Sequence, residues 1–160
     1  MIHSIIFLFA LLLGPQLAVE GLRRIFPRPH VKTIRSFTTW HLLAMLAAAA
    51  GVGGSHLFAD AVTANFIQHL IGGGVTSFCL VMYGVDQLKL KLTVLQLLVL
   101  VVAVVSLLGV ANELVEYVIE LTTGRIFSWD THDTWRDLAA NTIGGGLGWL
   151  GFVTFRRRAS

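Results

Sequence analysis

The sequence has few of the residues that soluble enzymes and secreted disulfide-bonded domains use most. Only 13% of its 160 residues are charged, three are proline, and it has a single cysteine, Cys79. One cysteine cannot form an intrachain disulfide, so a disulfide framework is excluded and the thiol says nothing about the compartment. With 55% apolar residues and a mean hydropathy of +0.75, the composition is typical of a membrane protein.

The sequence also lacks the local motifs of common catalytic and nucleic-acid-binding sites. The glycine triplets at 72–74 and 144–146 lie inside apolar runs with no following Lys-Ser/Thr pair, so they indicate helix packing and not a phosphate-binding loop. No serine or cysteine lies beside a histidine in a way that indicates a nucleophile. The twelve Lys and Arg residues occur in short groups beside apolar runs, which favours membrane anchoring over nucleic-acid binding.

Five apolar runs are long enough to cross most or all of a hydrocarbon core of about 30 Å, at about 1.5 Å per helical residue. They are residues 2–19, 37–58, 66–83, 92–111 and 136–155. The sequence therefore predicts an all-α, polytopic membrane bundle of about five transmembrane helices. We expect one domain, residues 1–160, with a core at about 37–155 after a first span and a basic loop in 1–36. Cleavage of the first run as a signal peptide is the alternative, but its positive charges follow the apolar residues instead of preceding them.

Positive charges alternate from one predicted loop to the next. Lys and Arg number five in the first loop, two in the third and three in the C-terminal tail, against none in the second and two in or just beyond the fourth. Because Lys and Arg are enriched on the cytoplasmic side, we expect the N-terminus outside and the C-terminus in the cytoplasm of a plasma-membrane protein.

Acidic residues are concentrated in one stretch, 111–148, which holds six of the nine. They form two sets with the same i, i+3, i+7 spacing: Glu113, Glu116 and Glu120, then Asp130, Asp133 and Asp137. On a helix each set forms one stripe. Two stripes joined by a short loop can face each other.

The predicted topology brings polar residues of three spans to the outer end of the bundle. They are Asn65, His69, Glu113, Glu116, Asp133, Asp137 and Asn141. Glu113, Asp137, Asn141 and His69 lie about a turn inside the membrane interface. Ionisable groups there cost roughly 1 to 3 kcal/mol unless they are paired or hydrated, so these four should face the bundle interior. On the third span, Asn65, His69, Gly73 and Thr76 share one face. On the fifth span, the polar stripe continues as a seam for close packing: Gly144, Gly148 and Gly151.

Several of these residues also have a structural interpretation that needs no ligand. The outermost carboxylates can be solvated helix-end charges, and His69 can be a hydrogen-bonded packing histidine. Asp133 can be the N-cap of the fifth helix, because a carboxylate there satisfies free backbone amides. Asn141 can join helices through its amide.

The alternative is that these residues form a functional site, with catalytic or metal-binding residues on the one hand and substrate-binding residues on the other. Candidate catalytic groups, and candidate ligands of a divalent metal ion, are Glu113, Asp137 and His69. Candidate substrate-binding residues are Asn141, Arg125, Asp133 and Glu116. Carboxylates with one imidazole suit Mg²⁺, Mn²⁺ or Ca²⁺, less often Zn²⁺, and can also perform general acid and base catalysis.

These residues resemble the VanZ-like membrane proteins, whose closing motif has an acidic residue in a late span, then Gly-Arg, then Asp-Leu-x-x-Asn-Thr-x-Gly. Here the corresponding residues are Glu113, Gly124-Arg125, Asp137-Leu138, Asn141-Thr142 and Gly144, with His69 similar to the family's earlier histidine. The motifs cover about 65–151. Glu116 replaces a usual glutamine, and the run from Asp133 to Asp137 resembles the Asp-Thr-x-x-Asp of the related YjdF-like membrane proteins, so either branch is open.

The resemblance implies a cell-envelope membrane protein with a link to teicoplanin-type glycopeptide (antibiotic) resistance, without defining a reaction. We expect an enzyme or binding protein for a lipid-linked or amphiphilic molecule at the outer leaflet, with a divalent metal ion as the cofactor to test. Its other expected partner is the lipid bilayer, and nucleic acid is not expected. The alternatives are a non-catalytic membrane factor that binds an amphiphile or a protein partner, and a small transporter. A transporter is the least favoured because the inner halves of the spans have few polar residues.

Overall fold

The structure, a computed structural model, describes residues 2–26, 38–124 and 131–158, and of 2–12 it describes the backbone only. Within these ranges the chain is all-helical, which confirms the predicted fold class. Its five helices are α1 (Ile2–Ile25), α2 (Thr39–Ser55), α3 (Ala61–Gln87), α4 (Val94–Thr123) and α5 (Thr131–Arg158). Two of the predicted site and stripe residues, Arg125 and Asp130, lie outside the described residues.

Four helices, α1, α3, α4 and α5, extend beyond the predicted spans. In α1, Glu20 accepts hydrogen bonds from Arg23 and Arg24, at 2.8 and 2.9 Å, so the helix continues to Ile25. The pKa of Glu20 is lowered to about 2 by these hydrogen bonds, that of Arg23 first. α4 continues through its acidic stripe and ends where Gly124 adopts the left-handed conformation, with φ 69°.

A π-helical segment, Gln68–Val75, interrupts α3. The segment contains the three glycines at 72–74, and its wider turn changes the direction of the residues that follow it. Asn65 and His69 contact α5, whereas the Thr76 hydroxyl lies 3.4 Å from the Ala44 carbonyl oxygen of α2. The simple helical face predicted for these residues is therefore split between two neighbours.

Glycine allows the backbones of α2, α3 and α5 to touch in this region. A Cβ atom on Gly144 would collide with the Leu70 carbonyl, and one on Gly51 would collide with the backbone of Gly72. One turn further along α5, a Cβ atom on Gly148 would lie 2.6 Å from the Phe78 ring. A Cβ atom on Gly151 would meet nothing within 4 Å, so the predicted glycine seam ends before that residue.

Apolar side chains of α2, α3 and α4 form the core below these contacts. Its buried members are Ala44, Phe78, Cys79, Val81, Met82, Leu97, Val101 and Val105. Trp40 packs edge-on against Phe78, with ring centroids 6.0 Å apart. Toward the same end of the bundle, Val19 of α1 packs with Tyr83, which also lies against the buried ring of His41.

Two helices, α3 and α4, are long and apolar enough to cross a membrane. A core helix of a soluble protein can meet the same criteria of length and composition, but it would be mostly buried. Only 22% of the most apolar part of α4 is buried inside the protein. Apolar side chains remain exposed along its length, among them Leu95, Val99, Leu107, Leu114, Val118 and Leu121. Such a continuous apolar surface is typical of contact with lipid or with another protein.

Candidate functional site

The first turns of α5 lie against the start of α3. Helix α5 begins at Thr131, so Asp133 lies inside the first turn and does not occupy the N-cap position that the sequence left open as an alternative. Its Oδ1 atom lies 3.3 Å from Arg136 Nη2 and 3.4 Å from Asn65 Nδ2. A carboxylate in a first helical turn is still stabilised by the exposed amides there.

A chain of polar side chains joins α3 to α5. Asn65 Nδ2 donates a 2.8 Å hydrogen bond to Asp137 Oδ1, and His69 Nε2 lies 3.4 Å from Asp137 Oδ2. On the other side of the imidazole, Asn141 Nδ2 lies 3.5 Å from His69 Nδ1. Asp137 and Asn141 are only 4% and 5% exposed. The polar chain therefore lies in the interior of the bundle, where each polar group needs a hydrogen-bond partner.

The oxygen of the Asn141 side-chain amide lies at the end of this polar chain. Among the described residues, Asn141 Oδ1 is buried without a hydrogen-bond partner. It packs against Gly73, where a Cβ atom would collide with it. Glycine at this point of the π-helical segment therefore makes room for the amide.

The acidic stripe of α4 contributes two side chains next to this chain. Glu113 accepts a hydrogen bond from Thr134 of α5, and its Oε1 atom is buried with no partner among the described residues. Glu116 accepts a 2.7 Å hydrogen bond from Asn112 Nδ2. The two predicted acidic stripes thus approach each other at Glu113, Glu116, Asp133 and Asp137.

Two cavities adjoin the polar chain and share Gln68, His69 and Glu116. The first, here the polar chamber, has a volume of about 250 Å³ and is also lined by Asn65, Asp133, Arg136 and Asp137. The second, here the apolar chamber, has a volume of about 290 Å³ and lies deeper in the bundle. Its other lining residues include Ala48, Val52, Gly73, Ser77, Leu80, Leu108, Gly109, Asn112 and Asn141.

The predicted metal-ligand set, Glu113, Asp137 and His69, is not formed. No group of three or more His, Cys, Asp or Glu side chains in the described part of the chain is placed to hold a metal ion. The reason is that these side chains face protein partners: Asp137 contacts Asn65 and His69, and Glu113 accepts from Thr134.

Four chamber features were not identified from the sequence. They are Gln68, Asn112, Arg136 and the π-helical segment. A signal existed for two of them, because Gln68 precedes His69 directly and Asn112 lies one helical turn before Glu116. The π-helical turn leaves no comparable pattern, although the three glycines lie within it.

Comparisons with protein-family models, with curated proteins and with solved structures give no match for this chain.

Proposed function

We propose that this chain is a multi-pass plasma-membrane protein that binds a lipid-linked or amphiphilic molecule in the two joined chambers. The observation that supports this most directly is that the two chambers are neighbours and share three lining residues, Gln68, His69 and Glu116. One chamber is lined mainly by charged and amide side chains, whereas the other combines polar residues with the aliphatic side chains of Ala48, Val52, Leu80 and Leu108. An amphiphile has the same two-part character.

Placement in a membrane is supported by the exposed apolar surface of α4 and by the position of the basic residues. Arg156 and Arg157 of α5 line a small cavity together with Thr93, at the start of α4. The loop with Lys89 and Lys91 directly precedes Thr93, so these cations gather at one end of the bundle, opposite the polar chain. This agrees with a cytoplasmic basic end, five spans and an outward-facing site.

The geometry favours binding over covalent catalysis. Both imidazole nitrogens of His69 face protein side chains, those of Asp137 and Asn141, and neither faces a hydroxyl or thiol nucleophile in the described residues. His69 and Asp137 can still exchange a proton with a bound molecule, because Asp137 is oriented by Asn65. Acid and base catalysis on the bound amphiphile is therefore the second candidate function.

The binding proposal can be tested with a photoactivatable single-chain amphiphile. We expect it to label the walls of the apolar chamber, at Ala48, Leu80 or Leu108, in purified protein mapped by mass spectrometry. Ser77→Phe should reduce the labelling by filling the chamber. Val99→Phe, on a 60% exposed residue of α4, is the matched control and should have no effect on it. Labelling confined to the exposed face of α4, or unchanged by Ser77→Phe, would exclude the proposal.

Membership of the VanZ-like or YjdF-like families, and a part in glycopeptide resistance, are proposed on the motif residues alone. If the resemblance extends to function, expression of the chain in a susceptible host should lower its susceptibility to teicoplanin. Asp137→Asn should remove the effect without removing the protein from the membrane. Equal susceptibility with and without the chain would leave envelope binding as the proposal and remove resistance from it.

A further inference from the structure

We infer that the ligand of the two chambers carries a primary ammonium group, held where the chambers meet, and a single apolar chain that fills the apolar chamber. This inference rests on the proposed function and specifies the chemistry of its ligand. Three features of the site support it: an unpaired acceptor, a surplus of carboxylates, and the size and walls of the apolar chamber.

The unpaired acceptor is Asn141 Oδ1. Asn141 is 5% exposed, lines the apolar chamber, and has no partner for this oxygen among the described residues. Its amide nitrogen lies beside His69, which lines both chambers. A ligand that places an N–H or O–H group at this junction would satisfy the acceptor.

The excess of carboxylates over basic side chains indicates which hydrogen-bond donor the ligand carries. Among the described residues, three carboxylates line the polar chamber, those of Glu116, Asp133 and Asp137, and the one lining Lys or Arg is Arg136, which already contacts Asp133. An anionic head group would be repelled, and a hydroxyl group would leave the negative charge uncompensated. A primary ammonium group carries three donors and a positive charge, so it matches both features.

The size of the apolar chamber limits the hydrophobic part of the ligand. Its volume of about 290 Å³ is just below the range of roughly 300 to 1,000 Å³ found for small-molecule sites. Its walls toward Leu80 and Leu108 are aliphatic. One chain fits this space, and the head group of a molecule placed in this way lies next to Glu116 and Asn141.

The test compares three twelve-carbon amphiphiles on the protein in phosphatidylcholine nanodiscs: dodecylammonium, dodecyltrimethylammonium and dodecyl sulfate. A ligand that binds the folded state raises the melting temperature. We expect dodecylammonium to raise it at a concentration at least tenfold lower than dodecyltrimethylammonium, which has the charge but no N–H donor. Dodecyl sulfate should produce no rise.

Variants test whether the preference for dodecylammonium over dodecyltrimethylammonium depends on Asn141, beside the residues that the two chambers share. Asn141→Ala should remove the difference between the two cations, while Asn141→Asp, which keeps an acceptor, should retain it. Thr142→Val is the matched control, because the Thr142 hydroxyl donates to its own helix at Leu138, and the preference should be unchanged. If Asn141→Ala does not fold, Glu116→Gln provides the second variant and should weaken the response to dodecylammonium.

The outcomes separate this inference from the proposed function. Equal responses to the two cations in the unmodified protein, a stronger response to dodecyl sulfate, or a preference that survives Asn141→Ala would overturn the inference. Each of these would leave amphiphile binding intact if the photoactivatable probe still labels the apolar chamber. Absence of both labelling and any thermal response would overturn the inference and the proposed function together.

Discussion

Asp137 is a carboxylate that the bundle can bury because α3 supplies its partners. Asn65 donates to one oxygen, and His69 lies beside the other. An unpartnered carboxylate in this position would carry a large desolvation cost. The same two contacts fix the orientation of the acid at the edge of the polar chamber.

Asn65→Leu removes the strongest of these hydrogen bonds and should destabilise the protein by about 1 to 3 kcal/mol, because it leaves a buried acceptor unsatisfied. The free energy of unfolding in mixed detergent micelles measures the effect. Asn112→Leu is the matched control, since its amide also donates to a carboxylate, that of Glu116, but is exposed. Its cost should stay within about 0.5 kcal/mol. Equal costs for the two variants would mean that Asp137 does not depend on Asn65.

Asp60, at the start of α3, should titrate at a lower pH than an ordinary aspartate. Its pKa is lowered by hydrogen bonds from the Thr63 hydroxyl and then from the Thr63 backbone amide. A carboxylate with a lowered pKa in the folded state contributes stability above its unfolded pKa and loses it as the pH falls through the folded pKa. We therefore expect NMR titration to give Asp60 a pKa below 3.8, and Thr63→Ala to raise it. An unchanged pKa in the variant would show that the hydroxyl does not bond to Asp60 in solution.

At the scale of the helices, the glycines of α5 differ sharply in their surroundings. A Cβ atom on Gly144 would collide with the backbone of Leu70, which cannot move without disturbing the π-helical segment. Gly144→Ala should therefore cost about 3 kcal/mol or more. Gly146→Ala meets nothing within 4 Å and should stabilise the helix by about 0.5 to 1 kcal/mol. Melting temperatures that fall for both variants, or rise for both, would contradict this packing.

The number and order of the helices followed from the apolar runs, but their lengths did not. Hydropathy shows which residues can lie in the hydrocarbon core of a membrane, but not where a helix ends. The apolar run therefore predicts an end at Ala111, whereas α4 continues to Thr123. The π-helical segment was not predicted because it changes backbone hydrogen bonding without changing the apolar pattern. The glycines at 72–74 were correctly assigned to close packing, but their neighbours were identified only by the structure.

At the scale of the whole molecule, the polar residues could be predicted to meet because the predicted spans alternate in direction. Asn65, His69, Asp137 and Asn141 do come together. The two chambers could not be predicted, since a cavity depends on how far neighbouring helices separate and not on the residues of any one helix. A related reason explains why Glu113, Asp137 and His69 do not form one group of ligands among the described residues: shared depth brings side chains near each other, but hydrogen-bond partners decide which way each one faces.

The orientation of the bundle is the last prediction, and it determines from which side a ligand enters. If the basic end is cytoplasmic, a cysteine at Leu57, which is 83% exposed between α2 and α3, should react with a membrane-impermeant maleimide in intact cells. A cysteine at Ser160 should react only after permeabilisation. Both variants are made in a Cys79→Ala background, although Cys79 itself is buried. Reaction at Ser160 but not at Leu57 would invert the orientation and place the polar chamber on the cytoplasmic side. Reaction at both in intact cells would place the two positions on one side and contradict the predicted three spans between them.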